Sequence, residues 1–420
     1  MNELLIDHLG PLGDGVSVGR RGRIYVDRSL PGERIKAEIT RDTQGVMRAE
    51  PIQIHTPSAH RQNPPCPHYS DCGNCSMQHV RDGFYRSWKT EMVKNQLSRY
   101  SVFPDQWLPP IFMRNALRRR ATFTLRRPNK RSPVVMGYYR RRSQSVTEIE
   151  SCMILDPTLM ALKKPIQTLF ETAIMSRETV DIFLQIIDGH PEMLITGVPQ
   201  KGRSPLWRKQ LAKWAQALGL SRVGWRSSYD CGIEILFHQG PLIASFGPLR
   251  VPLPLGAFLQ PTQEGENALV NSVMRSLPPV NLIADLFSGC GTFSGPLLYR
   301  GMVDAYDSDK RSINALGKAA RHWPLQVKHR DLFSVPIHSS KLNAYDAILF
   351  DPPRQGCERQ AREMARSRVK TIIGISCQVE SFARDARSLC QGNYRLLNVQ
   401  IIDQFQWSHH VEVVGVFSKG

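Results

Sequence analysis

Residues 282–292 read LIADLFSGCGT and decide the fold. An apolar strand with an acidic residue leads into a glycine turn, and the turn opens a helix. Gly289 and Gly291 let the backbone approach a ligand closely, and the helix N-terminus offers free N–H groups. A dinucleotide fingerprint would need a third glycine where Ser294 stands. The stretch therefore predicts a strand–turn–helix unit with a ligand site of another kind.

Apolar runs recur along the C-terminal part of the chain. They cover residues 280–287, 302–306, 346–350 and 370–375, and a helix-compatible segment follows each run. This alternation predicts an α/β fold with an open parallel sheet. The tail, with YRLLNVQIIDQF and HHVEVVGVFSK, adds two strands close together, as an antiparallel edge pair would.

The glycine turn is closer in spacing to an S-adenosylmethionine site, whose ligand has no pyrophosphate. Asp307, in DAYDSD, ends the next strand and can accept hydrogen bonds from ribose hydroxyls. Asp331, in HRDLF, could reach the adenine. This ordered set in successive strand–helix units predicts S-adenosylmethionine as the cofactor.

Two candidate reactive groups follow the later strands. Asp351 begins DPPR directly after the strand AILF, so it lies at the carboxyl edge of the sheet, where ligands bind. Its carboxylate can bond the polar edge of a nucleobase, but similar loops serve amino-group methylation and leave the chemistry open. Cys377 ends the strand KTIIGIS just before a helix, and we expect the helix N-terminus to lower its pKa from about 8.5.

A thiolate at this edge suits methylation of uracil carbon 5, which is a poor nucleophile. Addition of the Cys377 thiolate to carbon 6 places negative charge on carbon 5, which can then take a methyl group. A base must next remove the carbon 5 proton so that the cysteine can leave. Glu412, in HHVEVVGV, is the candidate base, with His409 and His410 as runners-up. The target base must leave its stack to reach the site.

The chain holds nine cysteines, an odd and unevenly spaced set that argues against a disulfide framework. Four of them form a C-x5-C-x2-C motif with one later partner: Cys66, Cys72, Cys75 and Cys152. This spacing favours a 4Fe-4S cluster, while a zinc site with help from His68 or His79, or no metal, stays open. The others, apart from Cys377, lack a reactive context and are interpreted as structural: Cys231, Cys290, Cys357 and Cys390.

The chain changes character twice, which predicts three domains. Residues 1–55 read as short alternating strands with frequent turns, which is typical of a small β-barrel. Residues 56–255 hold the cysteine motif, a predicted helix near 83–100 and mixed elements. Residues 256–420 form the α/β domain.

An arginine-rich stretch, MRNALRRRATFTLRRPNKR, lies in the central segment. Its arginines at 118–120 and 126–127 can lie along a phosphate backbone or on a solvated strand pair. The whole chain has 55 Lys and Arg against 37 Asp and Glu, a formal charge of +18, and a pI near 9.7. Such an excess favours a nucleic-acid partner. Since we find neither a membrane span nor a signal peptide in the sequence, we expect a cytoplasmic protein without a membrane partner.

These motifs, in this order, resemble the bacterial RNA (uracil-5-)-methyltransferases. The first residues, GDGVSVGRRGRIYVDRSLPGERIKAEI, are similar to the TRAM domain of that family, an OB-like RNA-binding barrel. The cysteine motif with Cys152 resembles its 4Fe-4S site, and GAFLQPTQEGENAL resembles its F-x-Q cofactor element. The motifs LFSGCGTF, YDSD, DPPR, SC and HVE complete the match.

The resemblance implies a Rossmann-like class I methyltransferase domain, a TRAM-like barrel and a central iron–sulfur α+β domain. It implies that Cys377 is the nucleophile and Glu412 the base, and that Phe258 lies near the target uracil with Asp351. The cofactor contacts that it implies, together with those from the motifs above, are Gln260, Phe287, Gly289, Thr292, Asp307, Asp331 and Asp351. A TRAM domain with a cluster resembles the 23S rRNA branch, whereas the tRNA branch generally lacks both.

Several positions depart from the family pattern. Gln378 and Val379 replace Asn-Pro after the cysteine, Pro261-Thr262 replaces Val-Asn, and Thr292 and Asp307 replace Asn and Glu. The reaction is expected to be unchanged, with 23S rRNA as the partner, tRNA as the alternative, and a monomeric enzyme. Two other hypotheses are a DNA or base-amino methyltransferase using DPPR and a non-catalytic RNA-binding or iron–sulfur protein.

Overall fold

The computed structural model describes residues 2–19, 22–176, 178–197 and 204–420. The N-terminal residues form a six-stranded sheet of order β1-β5-β6-β4-β3-β2. Its strands are β1 (Asn2–Leu5), β2 (His8–Leu9), β3 (Gly15–Gly19), β4 (Gly22–Val26), β5 (Arg34–Arg41) and β6 (Met47–Thr56). Alternate residues such as Ile24, Val26 and Ile35 are buried in its small core. The short strands predicted for residues 1–55 are therefore present.

A seven-stranded central sheet has the order β11-β10-β9-β12-β13-β14-β15. Its strands are β9 (Arg120–Arg126), β10 (Val135–Tyr139), β11 (Val146–Glu148), β12 (Thr179–Ile187), β13 (His190–Thr196), β14 (Arg222–Arg226) and β15 (Glu234–His238). Two helices, α2 (Pro157–Phe170) and α3 (Pro205–Ala217), share a core with one face of this sheet. A separate hairpin, β16 (Ile243–Phe246) with β17 (Leu249–Pro252), follows it.

The C-terminal sheet contains a strand at each of the four predicted apolar runs. Its strands are β7 (Gln106–Trp107), β8 (Ile111–Phe112), β18 (Leu282–Leu286), β19 (Met302–Asp307), β20 (Leu325–His329), β21 (Ala347–Phe350), β22 (Thr371–Ser376), β23 (Arg395–Asp403) and β24 (Glu412–Ser418). The order is β20-β19-β18-β21-β22-β24-β23-β7, and β8 also pairs with β23. Strands β18 to β22 pair in parallel, as predicted.

Helices cover both faces of this sheet, so its inner strands β18, β21, β22 and β24 are buried and mostly apolar. They are α1 (Asp82–Arg99), α4 (Gln263–Ser276), α5 (Ser294–Leu297), α6 (Lys310–Ala319), α7 (Ser339–Leu342), α8 (Glu358–Arg366) and α9 (Val379–Gln391). Helix α1 confirms the helix predicted near residues 83–100.

The tail pair β23–β24 is antiparallel, as predicted, but it is not an edge. Strand β24 lies between β22 and β23, and the two short strands β7 and β8 cover β23 in parallel. The edge prediction was wrong because β7 and β8 come from a distant, earlier part of the chain, and two-residue strands carry no periodic signal. No helix among the described residues is long and apolar enough to cross a bilayer.

Candidate functional site

The predicted glycine turn connects β18 to the short helix α5. Phe287, Gly289 and Gly291 all have positive φ angles, of 64°, 55° and 95°. A Cβ atom on Gly291 would lie 2.6 Å from the Leu316 side chain, so this position needs glycine for space as well as for conformation. The turn therefore exposes its backbone at the carboxyl end of the sheet.

Asp307, at the end of β19, reaches this turn directly. The N–H of Gly289 donates to its Oδ2 over 2.8 Å, and the N–H of Asp309 donates to its Oδ1 over 2.8 Å. Both oxygens keep a second lone pair for a ligand. Asp331 lies at the surface and accepts from the N–H of Phe333 (2.9 Å) within its own turn. Half-buried Thr292 follows Gly291 in the turn.

The rings of Phe287, in the glycine turn, and Phe333, in the turn of Asp331, have centroids 5.4 Å apart, so the two turns lie close together. The structure thus gathers the glycine turn and Asp307 around one edge, with Asp331 at its rim. Asp285, on the strand below, is fully buried and accepts a 2.5 Å hydrogen bond from the Ser294 hydroxyl. Burial raises the pKa of Asp285 to about 7.

Cys377 and Glu412 meet across the pairing of β22 with β24. Ser376 pairs with Val413, so the antiparallel register places Cys377, the next residue, opposite Glu412. Asp351 lies at the end of the neighbouring strand β21, whose Phe350 pairs with Gly374 of β22. Three residues predicted from separate motifs therefore converge on one edge of the sheet.

The groups around Cys377 contradict the prediction made for the pKa of its thiol. Burial, with the Glu412 and Asp351 carboxylates, raises the pKa of Cys377 to about 11, and Arg354 opposes this shift. The expectation that a helix N-terminus lowers the pKa of Cys377 was wrong for the free enzyme. Burial and the Asp351 charge also raise the pKa of Glu412 to about 8, and burial raises that of Asp351 to about 7.

The runner-up bases are weaker than Glu412. Burial and neighbouring cations lower the pKa of His409 to about 4 and that of His410 to about 3. Their rings lie 4.0 Å apart, and Nε2 of His410 is 3.4 Å from an Arg354 nitrogen.

A buried glutamine that the sequence analysis missed links two predicted residues. The Gln404 side-chain N–H₂ donates to Oε1 of Gln260 (2.8 Å) and to Oε1 of Glu412 (3.1 Å). Gln260 precedes α4, whereas Gln404 follows β23, so 144 residues separate them along the chain. No local pattern marks such a residue, although a polar side chain at the carboxyl end of an apolar strand was a usable signal.

Phe258 lies beside the same edge and is 60% exposed. The guanidinium carbon of Arg120 is 4.3 Å from the centroid of the Phe258 ring. Burial lowers the pKa of Arg120 to about 10, while Glu412 and Cys377 act in the opposite direction. Arg120 therefore carries positive charge between an exposed aromatic ring and the two candidate reactive groups.

Of the five arginines at 118–120 and 126–127, three are bonded to other groups of the protein and two line a cleft. Arg119 pairs with Glu266 (2.5 Å) and Arg127 with Glu171 (2.7 Å), while Arg126 donates to the Gln144 carbonyl. Only Arg118 and Arg120 of the five line a cleft of about 590 Å³ beside the reactive edge. The basic and aromatic residues of this cleft come from all three sheets or their loops: Arg48, Arg118, Arg120, Tyr138, Arg141, Arg142, Phe183, Arg354, Phe405, His409 and His410.

The four predicted cluster cysteines line one small cavity. Cys66, Cys72, Cys75 and Cys152 surround it, and all of them are free thiols. His68 also lines the cavity, but its Nε2 accepts the N–H of Glu150 (3.1 Å). In the part of the chain that the structure describes, no three His, Cys, Asp or Glu side chains are arranged to hold a metal ion.

His79, the other histidine considered for zinc, lies within hydrogen-bond distance of a tyrosine. Its Nδ1 is 2.7 Å from the Tyr69 hydroxyl, which itself donates to the Ser76 carbonyl (2.8 Å). His79 is therefore held by the cysteine loop and does not line the cavity of the four thiols.

Proteins that are already known are similar to this chain in fold and in sequence. The solved structure of Pyrococcus abyssi tRNA (uracil-54, C5)-methyltransferase in complex with S-adenosyl-L-homocysteine matches with a TM-score of 0.77 at 19% identity, over 99% of each chain. The fold is that of a class I S-adenosylmethionine-dependent methyltransferase. A family model described as tRNA (Uracil-5-)-methyltransferase matches residues 328–419.

Two relatives are similar in sequence over almost the whole chain, beyond the residues that the family model matches. An uncharacterized RNA methyltransferase of Brucella suis biovar 1 (strain 1330) is 34% identical over 423 residues, covering 100% of this chain and 98% of the relative. A 23S rRNA (uracil(1939)-C(5))-methyltransferase of Acinetobacter baumannii (strain AYE) is 28% identical, covering 99% and 93%. The chain belongs to the RNA (uracil-5-)-methyltransferase family, and the predicted S-adenosylmethionine-dependent RNA methyltransferase is confirmed.

Proposed function

We propose that this enzyme methylates carbon 5 of a uridine in 23S rRNA through a covalent bond between Cys377 and the base. The observation that carries the proposal is the pairing register, which sets Cys377 opposite Glu412 beside Asp351. The similarity over almost the full length to an enzyme named for 23S rRNA supports the choice of RNA.

The bonds change in four steps. The Cys377 thiolate adds to carbon 6 of the uracil, and the electron pair moves to carbon 5 and its neighbouring carbonyl. Bound S-adenosylmethionine would supply the electrophilic methyl group to carbon 5, and its methyl–sulfur bond would break to leave neutral S-adenosylhomocysteine. Glu412 then accepts the carbon 5 proton, and the bond between carbon 6 and sulfur breaks to release the thiolate.

The pKa values constrain these steps. In the free enzyme at pH 7 both Cys377, with a pKa of about 11, and Glu412, with a pKa of about 8, are protonated. Cys377 must therefore lose its proton to solvent before attack, and Glu412 must lose its own proton to solvent before it accepts the proton of carbon 5. A pKa near 8 suits a base that works close to neutral pH.

The remaining side chains hold the substrates. We assign the cofactor to the edge formed by Gln260, Phe287, Gly289, Thr292, Asp307, Asp331 and Asp351. Phe258 and Asp351 contact the flipped uracil, and the exposed ring of Phe258 offers a stacking surface. The arginine-lined cleft takes the RNA backbone on either side of the target.

The cavity of four cysteines is proposed as the site of a 4Fe-4S cluster, with Cys66, Cys72, Cys75 and Cys152 as ligands. Four free thiols around one cavity are the donor set that such a cluster requires. Anaerobically purified enzyme should contain four iron and four sulfide per chain and absorb near the blue edge of the visible spectrum. Loss of this iron in Cys152→Ser, but not in Cys390→Ser, would support the assignment; stoichiometric zinc would refute it.

We propose three domains, with residues 1–55 as a TRAM-like RNA-binding barrel, 56–255 as the iron–sulfur domain and 256–420 as the methyltransferase domain. Helix α1 with β7 and β8 then forms a part of the central domain that packs on the third. The contribution of Arg48, Arg141 and Arg354 to one cleft supports joint binding of RNA by all three.

Nucleoside mass spectrometry tests the proposed substrate. 5-Methyluridine should disappear from 23S rRNA, and not from tRNA, in cells that lack the gene. Complementation with wild-type enzyme should restore it, whereas Cys377→Ala should not. Loss from tRNA alone would refute the 23S rRNA assignment, and full activity of Cys377→Ala would refute the covalent mechanism.

A further inference from the structure

Residues 403–411, here called loop 403–411, comprise the last residue of β23 and the connection to β24, and they carry several groups to the reactive edge. Ile402 pairs with Glu412, so the loop closes the hairpin directly before the candidate base. Its Gln404 bonds Glu412, while Phe405, His409 and His410 line the cleft. The position of Glu412 therefore depends on what holds this loop.

Helix α1 holds the loop through a lysine with no exposed surface. Lys89 is 0% exposed, and its ammonium lies 2.7 Å from Oδ1 of Asp403 at the start of the loop. The same ammonium donates to the carbonyl of His410 at 2.6 Å, near the end of the loop, and lies 3.5 Å from that of Phe405. An ammonium has three N–H donors, and one side chain here directs them to both ends of one loop.

Neighbouring contacts strengthen the same attachment. The Tyr85 hydroxyl, one turn earlier on α1, donates to Oδ2 of Asp403 over 2.8 Å. The N–H groups of Ser76 and Met77 donate to the Trp407 carbonyl over 2.9 and 3.0 Å, which fixes the middle of the loop to the cysteine loop. Burial lowers the pKa of Lys89 to about 8, opposed by the Asp403 carboxylate.

We propose that Lys89 is a positioning residue of the methylation reaction, which clamps both ends of loop 403–411 and so holds Glu412 opposite Cys377. This inference rests on the proposed role of Glu412 as base. Lys89 itself does not line the cleft. Its loss should slow the removal of the carbon 5 proton without weakening the binding of either substrate.

The variant Lys89→Met tests the clamp, with Lys94→Met as its matched control. Lys94 lies on the surface of the same helix and pairs with Glu91 at 2.9 Å. We expect the kcat of Lys89→Met to fall on the order of 10- to 100-fold, since small misplacements of reacting groups have effects of this size. The KM values for RNA and S-adenosylmethionine should change less than about threefold, and Lys94→Met should match the wild type.

A double variant separates positioning from stability. In Lys89→Met/Asp403→Asn no unpaired charge remains buried, so its Tm should lie closer to the wild-type value than that of Lys89→Met. The carbonyl of His410 still lacks its donor, so the kcat should stay low. A double variant with the wild-type Tm and wild-type kcat would overturn the role of Lys89.

The protein–RNA adduct distinguishes this inference from the proposed function. If Glu412 is the base, Glu412→Gln should accumulate an adduct that survives denaturing electrophoresis, and Lys89→Met should accumulate a smaller fraction of it. Adduct in Glu412→Gln with none in Lys89→Met would overturn the clamp alone. Absence of adduct in Glu412→Gln would overturn the base assignment and the clamp together.

Discussion

Burial governs the ionisable groups at the reactive edge. Glu412, Asp351 and Asp285 are all buried carboxyl groups whose pKa values rise to between about 7 and about 8. Their mutual repulsion and that of Cys377 favour states in which few of them are charged. Desolvation by burial is the largest cause of each of these three shifts.

The reactivity of Cys377 should reflect this environment. We expect alkylation by iodoacetamide, followed by mass spectrometry from about pH 6 to about pH 10, to show a Cys377 rate that still rises above about pH 9. Glu412→Gln removes one of the charges that raise the pKa of Cys377, so its profile should shift to lower pH. Exposed Cys231, whose pKa is lowered by hydrogen bonds from Ser227 and Ser228, should react fast and identically in both proteins. An unshifted Cys377 profile would contradict this coupling.

Stability should also depend on Glu412 through its protons. The unfolded carboxyl group releases its proton near pH 4.5, whereas the folded one keeps it until about pH 8. Between these values the folded state binds more protons, so the contribution of Glu412 to stability is present below pH 4.5 and is lost as pH rises through 8.

Chemical denaturation of the wild type and Glu412→Gln at about pH 5, 7 and 9 measures this effect. The glutamine variant should gain stability relative to the wild type as pH rises, by on the order of a few kcal/mol at about pH 9. Glu264→Gln, which makes the same chemical change at an exposed position on α4, is the matched control. A difference that does not vary with pH would show that Glu412 ionises normally.

At the scale of elements, the close packing of α4 against loop 403–411 determines where Gln404 lies between Gln260 and Glu412. Gly265 lies in the first turn of α4, where its N–H donates to the Thr262 hydroxyl over 3.0 Å. A Cβ atom there would lie 2.0 Å from Oε1 and 2.8 Å from Cβ of Gln404. Gly265 thus makes room for the side chain that joins Gln260 to Glu412.

Gly265→Ala should therefore displace Gln404 and lower the kcat by about tenfold or more. Gly317→Ala is the matched control, since it lies within α6 with open space around its Cβ position. That change should leave the kcat unchanged and raise stability by about 0.5–1 kcal/mol. Steady-state kinetics with thermal melting measures both, and a fully active Gly265→Ala would show that Gln404 is not required where it lies.

At the scale of the whole molecule, the charge of +18 is partly concentrated at one cleft. Three of its six arginines, Arg48, Arg141 and Arg142, are paired with Asp14. Arg118 lines the cleft and, within residues that the structure describes, takes part in no ion pair. Such a side chain is available for a phosphate.

Arg118→Gln should weaken RNA binding and reduce its dependence on salt. Each phosphate contact with single-stranded RNA contributes about 0.7 to the slope of log affinity against log salt concentration, so the slope should fall by about 0.7. Fluorescence anisotropy between about 50 and about 300 mM salt measures it. Arg321→Gln, an exposed change far along the chain, should leave the slope unchanged; equal slopes for all three proteins would place the RNA elsewhere.

The sequence by itself determined four of the five parallel strands and placed the end of each within one residue. Apolar runs predict β18, β19, β21 and β22 because a strand covered on both faces is mostly apolar. Reactive residues follow such runs, so Asp307, Asp351 and Cys377 could be assigned to one edge before any contact was known. Strand β20 was missed because its exposed residues interrupt the apolar pattern.

Only the tertiary structure decided what surrounds those residues. Gln404 reaches Gln260 across 144 residues of chain, and Lys89 reaches His410 across 321 residues. Arg120, on β9, likewise meets Phe258, in the segment between β17 and α4, and no local periodicity encodes such contacts. The pKa of Cys377 likewise depends on contacts between residues that lie far apart in the sequence. A helix N-terminus is visible in sequence, but burial beside two carboxyl groups depends on how distant strands pair, and burial has the larger effect.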